Sequence, residues 1–409
     1  MSKCCAISPY LRTTAERIAV SPDASTAFDG PTYSQKGSGA LTDTKLSVNA
    51  GSATISQSHR TTVYQFDPTR DNRWSEFLLR HPDASVFHTR AWLDALRETY
   101  GYDPVVLTTA APGEPLENGL AFCRINSWLT GSRMVSLPFS DHCQPLLDGL
   151  GKFSDLLSFV TTCSECSQWK YVELRPLTSP DWRPWSKTGF AEGESFYFHQ
   201  LDLRPSLDET YRRFHKSCVQ RKLRRASREK LTLEEGRSET LLKKFYRLLV
   251  MTRRRHQLLP QPFLWFRNLV RFFGESLLIR VASKDGRPIA SVVTLSYKKS
   301  VVYKYGCSDP KFHNLGGMPL LYWRAIQDAK ERGAEAFDFG RSELGNPGLI
   351  TFKDRWGTGR SQITYLRYNR GTAAMISRTF GMETSRRASS SLPDFCLCAA
   401  GRLFYRHIG

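Results

Sequence analysis

Long apolar runs are missing from this sequence: no stretch reaches about 18 consecutive apolar residues, which excludes a membrane-crossing helix. Acidic residues are scarce, with 39 Asp and Glu against 58 Lys and Arg and a net charge of +19. A chain so charged is expected to meet an anionic partner: a phosphate, nucleotide, nucleic acid or acidic lipid. Cysteines number ten in 409 residues and are scattered, which excludes the dense disulfide framework of a small secreted domain and fits a reducing cytosol. The single C-x-x-C, Cys163 with Cys166, has no second pair at zinc-finger spacing. His142-Cys143 is the one candidate to complete it, so thiols rather than a metal are expected. The start Met1-Ser2-Lys3-Cys4-Cys5 lacks the apolar core of a signal peptide, and a cytoplasmic protein is expected.

What is present is a globular composition, 40 % hydrophobic and 12 % aromatic, long enough for two domains. Residues 1–60 hold 17 Ser or Thr and three aromatics with no periodicity, and are expected to form a disordered leader. From Thr61 the sequence turns aromatic. Its first clear element is a helix capped at Thr89, with Trp92, Leu93, Leu96 and Tyr100 on one face and Gly101 as its stop. Strands from Pro104 and Leu120 flank the turn residues Pro112-Gly113-Glu114-Pro115. A helix over 153–163 and strands near 171–174 and 196–203 follow.

Ser206-Leu207-Asp208-Glu209 has the capping-box spacing, so a helix is expected to start there and carry 211–230, where nine Lys or Arg stand against one Glu. Such crowding of like charge is relieved by an anionic ligand, although a solvated face reads the same way. Helices over 239–256 and 263–273 come next. Three strands then alternate with the turns Lys284-Asp285-Gly286-Arg287 and Lys298-Lys299-Ser300; after a loop, a helix begins near Pro319 and a strand covers 334–339. The loop Asn314-Leu315-Gly316-Gly317 ahead of that helix is a candidate phosphate cradle, since glycines permit close approach to unpaired helix N–H groups; a flexible turn is the plain alternative.

This order of elements resembles the GNAT superfamily of N-acyltransferases. Asp338-Phe339-Gly340-Arg341-Ser342, Phe352-Lys353-Asp354-Arg355-Trp356-Gly357 and the strand 363–368 resemble its FemAB-like branch, as do Phe87-His88-Thr89-Arg90-Ala91-Trp92 and Arg221-Lys222-Leu223-Arg224-Arg225-Ala226. The resemblance spans about 61–370 and implies an α/β (α+β) fold of two tandem GNAT-like domains with mixed central sheets, divided at 61–204 and 205–370, before a basic tail at 371–409. It implies acylation of an amine on a cell-envelope polysaccharide or peptidoglycan precursor. Two departures concern the donor. His313-Asn314-Leu315-Gly316-Gly317 only approximates the family's Q/R-x-x-G-x-G/A loop for acyl-CoA, and the long coiled-coil insertion of the aminoacyl-tRNA-dependent Fem ligases is absent.

Under that resemblance Asp338 and Glu343 are candidate bases, and Asn314, Gly316, Gly317 and Arg341 would hold an acyl-CoA, with no metal. Tyr305, Arg221, Arg224, Arg225, Lys353 and Trp356 would face the substrate. Salt bridges at the strand end are the alternative for Asp338, Glu343 and Arg341. A solvated loop is the alternative for Lys353, Asp354 and Arg355, and the favoured reading for Asp354. Rival functions are an aminoacyl-tRNA-dependent transferase and a non-catalytic polyanion binder. The expected partner is an anionic or lipid-linked glycan precursor. In the tail, Arg386, Arg387, Arg402 and Arg406 alternate with Leu392, Phe395, Leu397, Leu403, Phe404 and Ile408, which fits either a membrane-surface segment or a helix docked on the body.

Overall fold

The computed structural model describes residues 61–148, 150–163, 169–177, 188–369 and 393–409. The leader, Cys166 and the tail residues Arg386, Arg387 and Leu392 lie outside the described residues.

The chain builds one pattern twice. Its first half runs β1 (Tyr64–Phe66), α1 (Asn72–Arg80), α2 (Arg90–Tyr100), the meander β2 (Asp103–Thr108), β3 (Asn118–Ile125) and β4 (Arg133–Val135), then the short β5 (Leu146–Leu147), α3 (Leu150–Thr162), β6 (Tyr171–Leu174) and β7 (Ala191–Asp202). The second half opens with α4 (Leu207–Arg213) and α5 (Arg221–Arg228). It then repeats the scheme as β8 (Thr232–Gly236), α6 (Glu239–Arg255), α7 (Phe263–Phe273), β9 (Leu277–Lys284), β10 (Arg287–Tyr297), β11 (Ser300–Ser308), α8 (Gly317–Glu331), β12 (Ala336–Glu343), α9 (Pro347–Asp354) and β13 (Gly359–Asn369).

The strand order is β1-β2-β3-β4-β6-β13-β7-β12-β11-β10-β9-β8, with β5 beside β3, and it reads as a palindrome. The two mixed sheets expected from the sequence are joined edge to edge. At the join each half lends its last strand to the other: β7 pairs with β12, and β13 pairs with β6. The expected division at 204/205 falls just after β7. On one sheet face α1, α2, α6 and α7 share a single core in which Trp92 meets Trp265 edge-on at 5.3 Å. On the other face α3 covers the first half and α5 with α8 the second.

Local signals explain many boundaries. Ser206 accepts from the Glu209 amide while Glu209 reaches back, as the capping box requires, and Gly101 closes α2 in the left-handed region at φ 71°. The single basic helix expected over 211–230 is instead broken at Phe214. There the Phe214 ring turns into the core against Trp356 and Trp323, and the His215 amide donates to the Arg355 carbonyl at 2.9 Å, so tertiary packing overrides helix propensity. A single π-type turn, Lys216–Gln220, then leads into α5. Residues expected as a loop around Asp354 form α9, capped by the Asn346 side chain with Pro347 in its first turn.

Candidate active site

Among the described residues, the only parallel pairing in each half joins two strands over three residues: Ser300–Val302 with Ala336–Asp338, and Arg133–Val135 with Tyr171–Glu173. Beyond Val302 and Asp338, β11 and β12 diverge, and a pocket occupies the wedge between them. Both wedge strands are bulged at that level. Lys304 is passed over between the pairs Val293–Tyr305 and Thr294–Tyr303, and Phe339 between Asp338–Gln200 and Gly340–His199. A bulge leaves its residue out of the ladder and re-aims the side chains around it. Gly340 takes up the β12 distortion at φ 74°, where a Cβ would stand 3.0 Å from an Asp141 carboxylate oxygen.

Five parts of the chain wall the pocket. Tyr303, Lys304, Tyr305 and Gly306 come from β11, and Phe339, Gly340 and Arg341 from β12. The end of α6 and its following turn bring Leu249, Thr252, Arg253, His256 and Leu258, while Lys353 enters from α9 and Asp141 from the first half. Asp141 rides on a loop after β4 in which Leu137 and Phe139 hold φ values of 53° and 61°, a conformation L-residues adopt at a cost and one that concentrates at functional sites. Arg175 fixes the loop through the carbonyls of Leu137 and Ser140 at 3.2 and 3.3 Å, and the Tyr365 hydroxyl donates to the Asp141 carbonyl at 2.7 Å.

The floor of the pocket is charged and dry. Lys304 lies 3.5 Å from the Asp141 carboxylate and donates to the Phe139 carbonyl at 2.7 Å, and Arg341 reaches the same carboxylate at 3.7 Å while lying over the Phe196 ring at 3.9 Å. Lys353, 2 % exposed, donates to the carbonyls of Gly340 and Arg341 at 2.9 and 2.8 Å. Burial penalises its ammonium and brings its pKa down from 10.5 to about 7, against the pull of Asp141 and Asp338. Charges this buried persist only when paired, and pKa shifts of this kind gather where chemistry is done.

The expected residues distribute as follows. Arg341, Lys353 and Tyr305 meet at the pocket, Tyr305 with its hydroxyl accepting from Trp265 at 2.8 Å. Asp338 stands behind the wall: one carboxylate oxygen accepts the Gly340 amide at 2.5 Å and the other faces His142 at 3.3 Å. Glu343 ends β12, five residues beyond Asp338 and away from the pocket lining. Trp356 is fully buried among Phe214, Tyr322 and Phe339, which corrects its reading as a substrate contact. Arg221, Arg224 and Arg225 stand on the exposed side of α5, Arg225 with Glu229 at 2.5 Å.

Gly316 and Gly317 are packed against the protein itself. A Cβ on Gly316 would stand 2.6 Å from the Lys222 carbonyl of α5, and one on Gly317 3.2 Å from the Ile289 side chain. The close approach these glycines allow is that of α5 and β10, so bulk there would displace the protein's own backbone and side chains. Asn314 is exposed beside them. Among the described residues no group of three metal-ligating side chains comes together, and Cys143 meets His88 at 3.3 Å.

Sequence reasoning missed Asp141, Lys304, Arg253 and His256. The run Arg253-Arg254-Arg255-His256 at the end of α6 was a visible signal: it puts Arg253 and His256 in the pocket wall, while Arg255 reaches His313 at 3.5 Å. Asp141 had no local signal, because its role depends on a loop conformation and a partner more than 160 residues away.

Comparison with known proteins agrees with this geometry. Residues 213–353, which carry both wedge strands, α6, α8 and Lys353, match the family model of the acetyltransferase (GNAT) domain. The structure of FemX shares 14 % identity, with a TM-score of 0.60 over 76 % of this chain and 97 % of that one. L-PGS from Bacillus licheniformis shares 13 %, with a TM-score of 0.53 over 79 % and 98 %. Among curated proteins none matches. The wedge lies within the matched GNAT domain, and the first half of the chain repeats its pattern. The likeness to FemX is one of fold and takes in both halves of the chain.

Proposed function

We propose that the protein transfers an acyl group, in the first instance acetyl, from acyl-CoA to an amine on a cell-envelope polysaccharide or peptidoglycan precursor. The observation that supports this most is the wedge: two parallel strands part above a three-residue pairing and leave ladder positions without a strand neighbour, which an extended, amide-bearing donor arm can fill by adding to the sheet. The Arg253 guanidinium and the His256 ring in the pocket wall suit the phosphates of such a donor, and this role passes to them from the closed Gly316–Gly317 turn.

Lys353 lies where the transferred carbonyl would sit. Its two bonds to the Gly340 and Arg341 carbonyls use two N–H groups, so the third position on nitrogen is a lone pair when the amine is neutral and a proton when it is charged. Near neutral pH both forms are populated. The neutral form takes the proton of the acceptor ammonium; the free amine then attacks the thioester carbon, the adduct's nitrogen gives up its second proton to solvent, the C–S bond breaks and the thiolate leaves, reprotonated by the lysine. Asp141, shared between Lys304 and Arg341, holds the two cations in place and orients the acceptor amine. Asp338 shapes the Gly340 bulge, acting as a positioning residue.

A second reading, transfer from an aminoacyl-tRNA, draws on the likeness to FemX and on Arg221 and Arg224, exposed on a helix beside the loop that leads into α8. Either donor places the reaction in the cytoplasm, where both are made. The test offers acetyl-CoA and aminoacyl-tRNA in parallel with amino-sugar and peptidoglycan-precursor acceptors and follows the acylated product by mass. Product with acetyl-CoA alone supports the first reading, product with aminoacyl-tRNA alone replaces it, and product with neither across such acceptors overturns both.

A further inference from the structure

Of the nine large apolar side chains that stand exposed among the described residues, five collect at one end of the molecule: Trp128, Leu129, Phe395, Leu403 and Phe404. The last three belong to α10 (Asp394–Phe404), which is apolar on two sides. Its inward side seats Leu397 and Gly401 on the body. Leu397 is fully buried, and Gly401 packs directly on the Pro260 carbonyl. At helical spacing Phe395, Ala399 and Leu403 share the outward side, with Phe395 73 % and Leu403 57 % exposed. The turn between β3 and β4 continues this surface: Trp128, 84 % exposed, meets the His407 ring edge-on at 5.3 Å, and the Thr130 hydroxyl donates to the His407 carbonyl at 3.0 Å.

We infer that α10 and the 127–131 turn together form a docking face for an anionic membrane surface. Charge complementarity selects the occupant. Arg402 and Arg406 are exposed beside the apolar ridge, while the helix's one acid, Asp394, is paired with Arg254 at 2.6 Å. Apolar side chains ringed by arginines on a helix lying flat against a body match the boundary between acyl chains and anionic headgroups, and an exposed tryptophan favours that same layer. No described helix is long and apolar enough to cross a membrane, so the contact is peripheral. The inference does not depend on the donor proposed at the wedge.

The test uses the full chain with vesicles of phosphatidylcholine alone and of phosphatidylcholine with phosphatidylglycerol. Sedimentation with the anionic vesicles is expected, weakened by salt, together with a blue shift in tryptophan emission that Trp128→Phe removes. The double variant Phe395→Ser with Leu403→Ser should lower vesicle partition at least tenfold at unchanged melting temperature. Three results overturn the inference: no sedimentation of the intact chain, equal sedimentation of the double variant, or a concentration-dependent dimer that the double variant abolishes, which would assign the face to a second copy.

Discussion

The amine of Lys353 sits 2.9 Å from the carbonyl of Gly340 and 2.8 Å from that of Arg341, on a helix that begins four residues after the end of the strand Asp338 shapes. This relationship ties the wedge to the chemistry, because a strand bulged at Gly340 presents consecutive carbonyls that one buried lysine can span.

If the neutral amine of Lys353 accepts a proton, kcat should rise through a limb near pH 7 and level off above it. Lys353→Met should lower kcat at least about a hundredfold, the scale of a lost acid-base group, and Lys353→Arg, which stays charged, should lose the limb as well as the activity. Stability should follow the same group. Its folded pKa is lowered, so the unfolded chain binds more protons between about 7 and 10.5, and the lysine's penalty shrinks as pH rises through that window. Urea unfolding of the wild type and Lys353→Met across the window checks the sign.

Asp141→Asn removes the carboxylate shared by Lys304 and Arg341 and leaves two cations in a dry site. Breaking a buried pair in this way costs about 3 to 5 kcal/mol, so a lower denaturation midpoint is expected together with loss of turnover. A variant that keeps its stability would show that water already compensates the charges.

Gly316→Ala should cost about 1 to 3 kcal/mol, from a left-handed φ of 82° and a Cβ set against the Lys222 carbonyl. Calorimetric melting reads this. Arg221→Ala with Arg224→Ala should leave melting unchanged; if the donor is an aminoacyl-tRNA its KM should rise, more so at low salt, whereas the KM for acetyl-CoA should stay as it was, since both side chains are exposed and outside the pocket lining.

Where sequence and structure agree, the reason is local. The capping box at Ser206, the glycine stop at Gly101 and the two tight turns of the second meander are written in adjacent residues, and each formed as expected. The break at Phe214 was not legible, because it follows from the fit of one ring against Trp356 more than 140 residues on. The site divides the same way. Arg341 and Lys353 were marked by their motifs, whereas Asp141 and Lys304 became visible only once a loop with two left-handed residues and a bulge had brought them within 3.5 Å.

The final segment anchors the body as well as presenting a surface. Arg133, 3 % exposed, donates to the Gly409 carbonyl at 2.9 Å and the His407 carbonyl at 2.8 Å, Tyr102 donates to the Tyr405 carbonyl at 3.1 Å, and Tyr405 donates to the Leu259 carbonyl at 3.1 Å. Deleting 393–409 would therefore strip a buried guanidinium of two of its acceptors and uncover the site of Leu397. Hydrogen bonds to a charged group contribute about 1.5 to 3 kcal/mol each, so the truncated protein should lose about 3 kcal/mol or more and melt earlier. This separates the tail's two roles: Phe395→Ser with Leu403→Ser touches the outward side alone and should leave melting as it was. A truncated chain that melted like the whole would mean that the contacts of Arg133 contribute nothing to stability, and the segment would then act only through its exposed face.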